Sequence, residues 1–268
     1  MANPYATVVI CTTKIPERVL QCLENQTFKN FETIIAGEKG IVNAMNKALD
    51  RAKGEIFIRI DDDVDLPSEW LGELLIGFKR NPHVAGITGP TFVPIELRKN
   101  RDSIRIWEKP NRFLRWMTGC KPTDFNPASI YKCGMVSYDS NYEERFIKND
   151  FLLPAIFCCD HLEGTNWAMR TDLIKKVGGF DPKFDGVAEW FDTDVEQKAK
   201  KTGFVLWYNA KAYLYHLLEK GDHFNDRFNG IGRIKNWLRF HWRHSKFHPK
   251  MIVYLLVWIG YFLCPKSR

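Results

Sequence analysis

The 268-residue sequence contains no C-x-x-C pair, no G-x-G-x-x-G and no apolar run approaching the roughly 20 residues a membrane-crossing helix needs. Each absence removes a class of protein. Seven cysteines, at 11, 22, 120, 133, 158, 159 and 264, make neither an even disulfide set nor a zinc framework. A reduced, cytosolic compartment is expected, with no structural zinc. Without a glycine fingerprint after a strand, a dinucleotide-dependent dehydrogenase is disfavoured. The start, Met1–Tyr5, has no charged residue leading into an apolar stretch, so no signal peptide is expected. Acid is missing too, but locally. From Arg227 to Arg268 there is no Asp or Glu, while nine Lys or Arg lie there. The formal charge of +7 therefore belongs to this tail, and the body gives no reason to expect nucleic acid.

What is present is a folded protein, 45% hydrophobic and 14% aromatic. Its first 95 residues alternate strand and helix. Ala6–Cys11 reads as a buried strand, Glu17–Gln26 as a helix and Phe31–Ala36 as the second strand. Ala44, Met45, Ala48, Leu49 and Ala52 recur at helical spacing. Glu55–Ile60 is a third strand, running straight into Asp61-Asp62-Asp63. Pro67 opens a helix to Arg80, and Val84–Val93 resumes extended structure. Such alternation predicts right-handed crossovers, a mainly parallel sheet flanked by helices, and ligands beyond the strands' carboxyl ends. The stretch 96–150 is irregular, mixing Arg105, Trp107, Arg112, Arg115 and Trp116 with prolines. Regular structure returns with Phe157–Arg170, helices Thr171–Val177 and Phe191–Thr202, and strands Val205–Tyr208 and Ala212–His216.

Three consecutive aspartates repel one another, and burial raises their pKa values. A solvated loop capping the Pro67 helix would avoid the cost; a divalent cation would remove it. Position at a parallel-strand end favours the cation, with magnesium or manganese matching hard oxygen ligands. Taken alone, Asp192 is equally a first-turn helix acid, and His216 a structural strand-end histidine.

Together these segments resemble the family 2 glycosyltransferases, which have the GT-A fold. The resemblance runs through Val8–Thr13, Gly40–Asn46 (GIVNAMN), Phe57–Asp63 (FIRIDDD), Leu162–Arg170 (LEGTNWAMR), Val177–Asp181 (VGGFD) and Phe191–Val195 (FDTDV), over about 210 residues. It implies one GT-A-like catalytic domain over 1–226, with a donor half at 1–95 and an acceptor half at 96–226. It also implies a nucleotide-diphosphate sugar donor, with Thr12, Thr13, Glu38, Lys39, Asn46, Asp61 and Asp62 on the donor side. Asp63 and His216 would ligate Mn2+ or Mg2+, and Gly164, Thr165, Glu189 and Trp190 would face the acceptor. Asp192 would be the base that deprotonates the acceptor hydroxyl, with inversion at the anomeric carbon. The family usually has Glu-Asp where this chain has Phe191-Asp192, and an aspartate-rich loop where this chain has Gly37–Gly40. The first strand exits through Cys11-Thr12-Thr13 instead of a proline turn. A sugar-phosphate nucleotidyltransferase would share strand-end carboxylates and metal, but would carry a glycine-rich basic loop that Thr12-Thr13-Lys14 does not supply. A non-catalytic, membrane-tethered sugar-nucleotide-binding module that has kept the fold is the other alternative.

Residues 227–268 read as a basic amphipathic and apolar helical tail. Ile231, Ile234, Trp237 and Leu238 fall on one helical face, followed by the apolar run Met251–Cys264. As a helix that run spans ~21 Å, short of the ~30 Å hydrocarbon core. A peripheral, in-plane or re-entrant anchor at the inner membrane face is expected, near a glycan or lipid-linked acceptor, the alternative being a helix packed on its own domain or on a dimer partner.

Overall fold

A computed structural model describes residues 3–98, 112–119, 128–137, 156–187, 189–219 and 230–263. Arg105 and Trp107 of the basic-aromatic middle, with Cys120 and Cys264, lie outside the described residues. Among the described cysteines, Cys11, Cys22, Cys133, Cys158 and Cys159 are free thiols.

Strands β1 (Ala6–Cys11), β2 (Phe31–Ala36), β3 (Ile56–Ile60), β4 (Val64–Asp65), β5 (Val84–Thr88) and β6 (Thr91–Phe92) interleave with helices α1 (Glu17–Glu24), α2 (Ile41–Arg51), α3 (Trp70–Arg80) and α4 (Ile95–Arg98). Then come α5 (Arg112–Thr118), β7 (Ile156–Cys159), β8 (Asn166–Arg170), α6 (Thr171–Lys176), α7 (Phe191–Lys201), β9 (Val205–Asn209) and β10 (Leu214–His216). Two helices close the described chain, α8 (Gly230–His244) and α9 (Pro249–Leu263).

The central sheet has seven strands in the order β2-β1-β3-β8-β5-β9-β7. All of β1 and β3 is buried, because helices cover both faces of the sheet. Ala6, Val8 and Ile10 point to α1 and α3, while Val9 and Cys11 point to α2, α6 and α7. That is why these strands read as continuous apolar runs and not as alternating ones. Five strands run one way, but β8 lies antiparallel between β3 and β5, and β7 antiparallel on β9. The reversal of β8 matters most. Its register pairs Ile60 with Asn166, so the chain entering β8 passes the carboxyl end of β3. Gly164 and Thr165 are thereby delivered beside Asp61.

The extended stretch expected at Val84–Val93 divides at Gly89-Pro90, and β6 joins a second sheet, β4-β10-β6. A Cβ on Gly89 would fall 2.1 Å from the Ala212 carbonyl oxygen, so only glycine admits this close backbone crossing. The small sheet carries His216 to the aspartates, pairing it with Val64.

Of the stripe Ile231, Ile234, Trp237 and Leu238, helix α8 buries Trp237 against the body. Its buried residues are Asn236, Trp237, Phe240 and His241, whereas Ile231 is 69% and Leu238 47% exposed. Phe240 enters the core beside Phe184, Phe191 and Val195. Burying a phenylalanine contributes roughly 1.5–3 kcal/mol, and Trp237 and Asn236 also donate to backbone carbonyls of Gly134 and Phe184. The polar groups answered by the body set the helix's rotation. Helix α9 packs Val253 and Tyr254 against a small cluster of Met117, Tyr131 and Cys133, and leaves Ile252, Leu256 and Val257 outward. Among the described residues no helix is long and apolar enough to cross a membrane.

Candidate active site

The carboxyl end of β3 places Arg59, Asp61 and Asp63 in alternation. Asp61, Asp63 and His216 each offer one ligand atom, all within 4.8 Å of one another. His216 Nε2 stands 3.1 Å from Asp63 Oδ1 and 3.9 Å from Asp61 Oδ2. Asp63 is fixed from the β10 side, where Leu217 N donates to its carbonyl and Glu219 N to its Oδ2, both at 2.8 Å. Thr165 Oγ1 donates to Asp61 Oδ2 at 2.8 Å. Two carboxylates and an imidazole, mostly buried and held in place, suit a hard divalent cation that keeps further positions for water or phosphate. Asp62 turns aside into a cleft of about 210 Å³, with Lys14, Arg18, Asp63 and Glu219 among its walls.

Arg59 joins this cluster to Asp192 on α7. Its Nη1 is 2.9 Å from Asp192 Oδ2 and its Nη2 is 3.4 Å from Asp61 Oδ1. Burial opposes the guanidinium charge, but Asp61 and Asp192 outweigh it and raise the Arg59 pKa. The other oxygen of Asp192 accepts from its own helix, Thr193 N, at 2.8 Å. Phe191, standing where the resembling family has glutamate, lies with its ring 5.1 Å from the Arg59 guanidinium carbon. A cation–π contact there takes the place of a further charge.

The three residues of the G-T-N motif take three tasks. Gly164 leaves room for the Arg59–Asp192 pair, since a Cβ would lie 2.8 Å from Asp192 Oδ2 and 3.0 Å from Arg59 Nη1. Thr165 orients Asp61. Asn166 is structural: it accepts from Trp70 Nε1 and donates to the carbonyls of Ala212 and Pro90.

Other expected donor residues divide. Thr12 is buried and its hydroxyl accepts from Lys14 N, while Thr13 and Lys39 are exposed at the strand ends. Glu38 pairs with Arg51 at 3.4 Å. Asn46 is not turned to the cleft. Its Nδ2 donates to Phe180 O and its Oδ1 accepts from Phe180 N, tying α2 to the G-G-F-D turn. Of the residues expected to face the acceptor, Glu189 is bound by Arg233 at 2.8 Å and Trp190 packs its ring, tilted, on Phe240.

Sequence reasoning passed over the layer behind Asp192. Glu196 is buried, accepts from Trp167 Nε1 and Leu162 N, and has its pKa raised by burial and then by Asp192. His161 is buried nearby, and burial lowers its pKa. The available signal was spacing: Glu196 follows Asp192 by four residues on one helical face. Cys11 beneath the site is no nucleophile, its thiol pushed up to about 12 by burial.

No curated protein matches the sequence. The mannosyltransferase PcManGT from Pyrobaculum calidifontis, solved with GDP-Man and Mn2+, superposes with a TM-score of 0.53 at 13% identity. The match covers 99% of this chain and 71% of that one. GalNAc-T7, crystallised with UDP, GalNAc and Mn2+, superposes at 0.57 and 12% identity, covering 98% of this chain and 55% of that one. Likeness at these identities establishes the fold. The model of glycosyl transferase family 2 matches residues 13–139, a span that holds the three aspartates and ends before Asp192 and His216. Over that span the chain is similar to glycosyl transferase family 2, and its fold is the one it shares with these two glycosyltransferases.

Proposed function

We propose that the protein transfers a sugar, a hexosyl unit, from a nucleotide-diphosphate sugar to an acceptor hydroxyl with inversion, using Mn2+ or Mg2+. The observation that carries this is the convergence of Asp61, Asp63 and His216 with Asp192 at one edge of the sheet, joined through Arg59. Asp61, Asp63 and His216 would hold the cation. When bound, it offsets diphosphate charge on the leaving group. Asp192 accepts the proton of the acceptor hydroxyl, which requires that hydroxyl within about 3 Å of a carboxylate oxygen. Arg59 orients Asp192, and Thr165 orients Asp61. Thr12, Thr13, Glu38 and Lys39 line the donor approach by their position at the ends of β1 and β2.

The same reading gives the tail a membrane surface as partner, at the cytoplasmic inner face, with a glycan or lipid-linked acceptor. It is supported by the acid-free stretch and by outward Ile231, Leu238, Trp242, Phe247, Ile252 and Leu256 beside Lys235 and Lys246. Two experiments test the proposal. A thermal-shift panel of nucleotide sugars should show stabilisation by one donor in Mn2+ that chelator removes. With that donor, Asp192→Asn should lower turnover about 10²–10⁴-fold and leave donor affinity unchanged; near-normal turnover removes Asp192 from the chemistry. Failure of the full-length protein to bind anionic liposomes at low salt would refute the membrane part alone.

A further inference from the structure

The segment carrying Asp192 is held from outside the sheet. Trp190, immediately before α7, is left-handed at φ 73° and ψ −1°. A non-glycine residue is strained there and persists where its surroundings over-determine it. Those surroundings come from α8. The Trp190 ring lies 4.5 Å from Phe240 and 5.2 Å from His241. One residue earlier, Arg233 Nε stands 2.8 Å from Glu189 Oε1, and Asn236 Nδ2 donates to Glu189 O at 3.3 Å.

A second clamp lies on the other side of Asp192. Asp194 is fully buried and meets His244 Nε2 at 2.8 Å and Arg243 Nη1 at 3.2 Å, with Lys198 of its own helix at 2.7 Å. Arg243 also reaches Asp181 at 2.7 Å. Burial works against the Asp194 charge, but His244 and Lys198 outweigh it and hold its pKa at about 2. A helix start needs no such arrangement; an exposed first-turn acid would serve the dipole equally well. A buried carboxylate answered by a guanidinium and an imidazole from a distant helix fixes one helix on the other, since removing those partners strands a buried charge.

We propose that α8 is a positioning element of the active site: Arg243 and His244 acting through Asp194, and Arg233 and Asn236 acting through Glu189, place the Asp192 carboxylate against Arg59. The proposal rests on Asp192 being the base. It makes the tail a part of the acceptor side, although no residue of α8 belongs to the motifs that mark the family. Displacement of a reacting group by about 1 Å can cost 10²-fold in rate, so a clamp acting on the helix start has kinetic leverage without touching substrate.

The test uses the full-length protein with Arg243→Ala/His244→Ala, with Arg243→Lys, and with Asp192→Asn alongside. Hydrogen exchange of the Phe191–Val195 amides should rise at least about tenfold in the double variant, reporting local opening, while β1 and β3 stay protected and Mn2+ affinity is unchanged. With the donor selected in Mn2+, kcat should fall roughly 10–100-fold at constant donor KM, and Arg243→Lys should recover most of it. An unchanged kcat, no rise in exchange, or a rise shared equally by β1 and β3 overturns the proposal. If Asp192→Asn keeps its kcat, the base assignment falls, and the exchange result alone decides whether α8 holds this segment.

Discussion

The two ends of the site are built by different means. The metal end is a strand terminus: Asp61 and Asp63 extend β3, whose neighbours β1 and β8 are laddered along its length, and His216 arrives on a paired strand. The Asp192 end is a helix start, with a strained Trp190 before it and charges from α8 around it. Backbone hydrogen bonds in a buried sheet do not titrate and tolerate side-chain loss. Ion pairs and buried imidazoles do titrate and fail one residue at a time. The metal end should therefore be rigid and sensitive to its ligands, and the Asp192 end sensitive to pH and to distant substitutions.

The largest expected effect is at the metal end. Asp63→Ala should abolish turnover and metal-dependent donor binding, measured by titration calorimetry with and without chelator. His216→Ala should weaken both less, since waters and diphosphate can complete the coordination. Full activity in excess chelator would remove the cation from the mechanism.

Next is acid. His241 is buried among Trp190, Trp237 and Phe240, with its ring nitrogens at Ser245 Oγ and Gly134 O. Burial, aided by His244, lowers its pKa from 6.5 to about 4. Between those values the unfolded or undocked segment binds more protons than the docked one, so stability rises with pH across the window. Docking of α8 should thus weaken as pH falls from about 6.5 toward 4, by at most about 3 kcal/mol. Asp194 adds nothing to this loss, because its contribution is present above pH 3.8 and disappears only on approach to about 2. Fluorescence of Trp190 and Trp237 followed from pH 7 to 4 checks it, and His241→Gln should flatten the change.

Smaller again is Gly164→Ala. A Cβ would crowd both partners of the Arg59–Asp192 pair, so turnover should drop about 10–100-fold with Mn2+ affinity intact. Wild-type kinetics would show that the pair has slack. Least is Asn46→Ala, which removes two hydrogen bonds to Phe180. Chemical denaturation should report a loss of about 1–2 kcal/mol, while donor affinity stays at its wild-type value. A large loss of donor affinity with unchanged stability would instead put Asn46 in the nucleotide site.

Much of the donor half was legible in the chain. Val8–Cys11 and Phe57–Ile60 announce themselves as buried strands because both sheet faces are covered, and the cost of three adjacent aspartates points to a cation wherever they emerge. The Asn46 assignment illustrates the limit. The motif locates the residue on α2, but whether an amide faces a ligand or a backbone turn depends on Phe180, which is far away in sequence. Arg59 shows the same limit in reverse, since its partner Asp192 is on another element. In the tail, periodicity gave Ile231, Ile234, Trp237 and Leu238 as the apolar face, yet the body offered carbonyls at Gly134 and Phe184 and a hydrophobic slot for Phe240. Those groups are met by Asn236, Trp237 and Phe240, which leaves Ile231 and Leu238 outward.

The sequence by itself determined the α/β alternation, the strand-end carboxylates and the acid-free tail, because these follow from local periodicity, local charge repulsion and composition. Only the tertiary structure decided that β8 runs antiparallel beside β3, that Arg59 bridges Asp61 and Asp192, and that α8 grips both sides of the Asp192 segment. Those outcomes depend on pairings between distant residues, where burial makes each unmatched charge or carbonyl costly, and no local pattern encodes which partner will answer it.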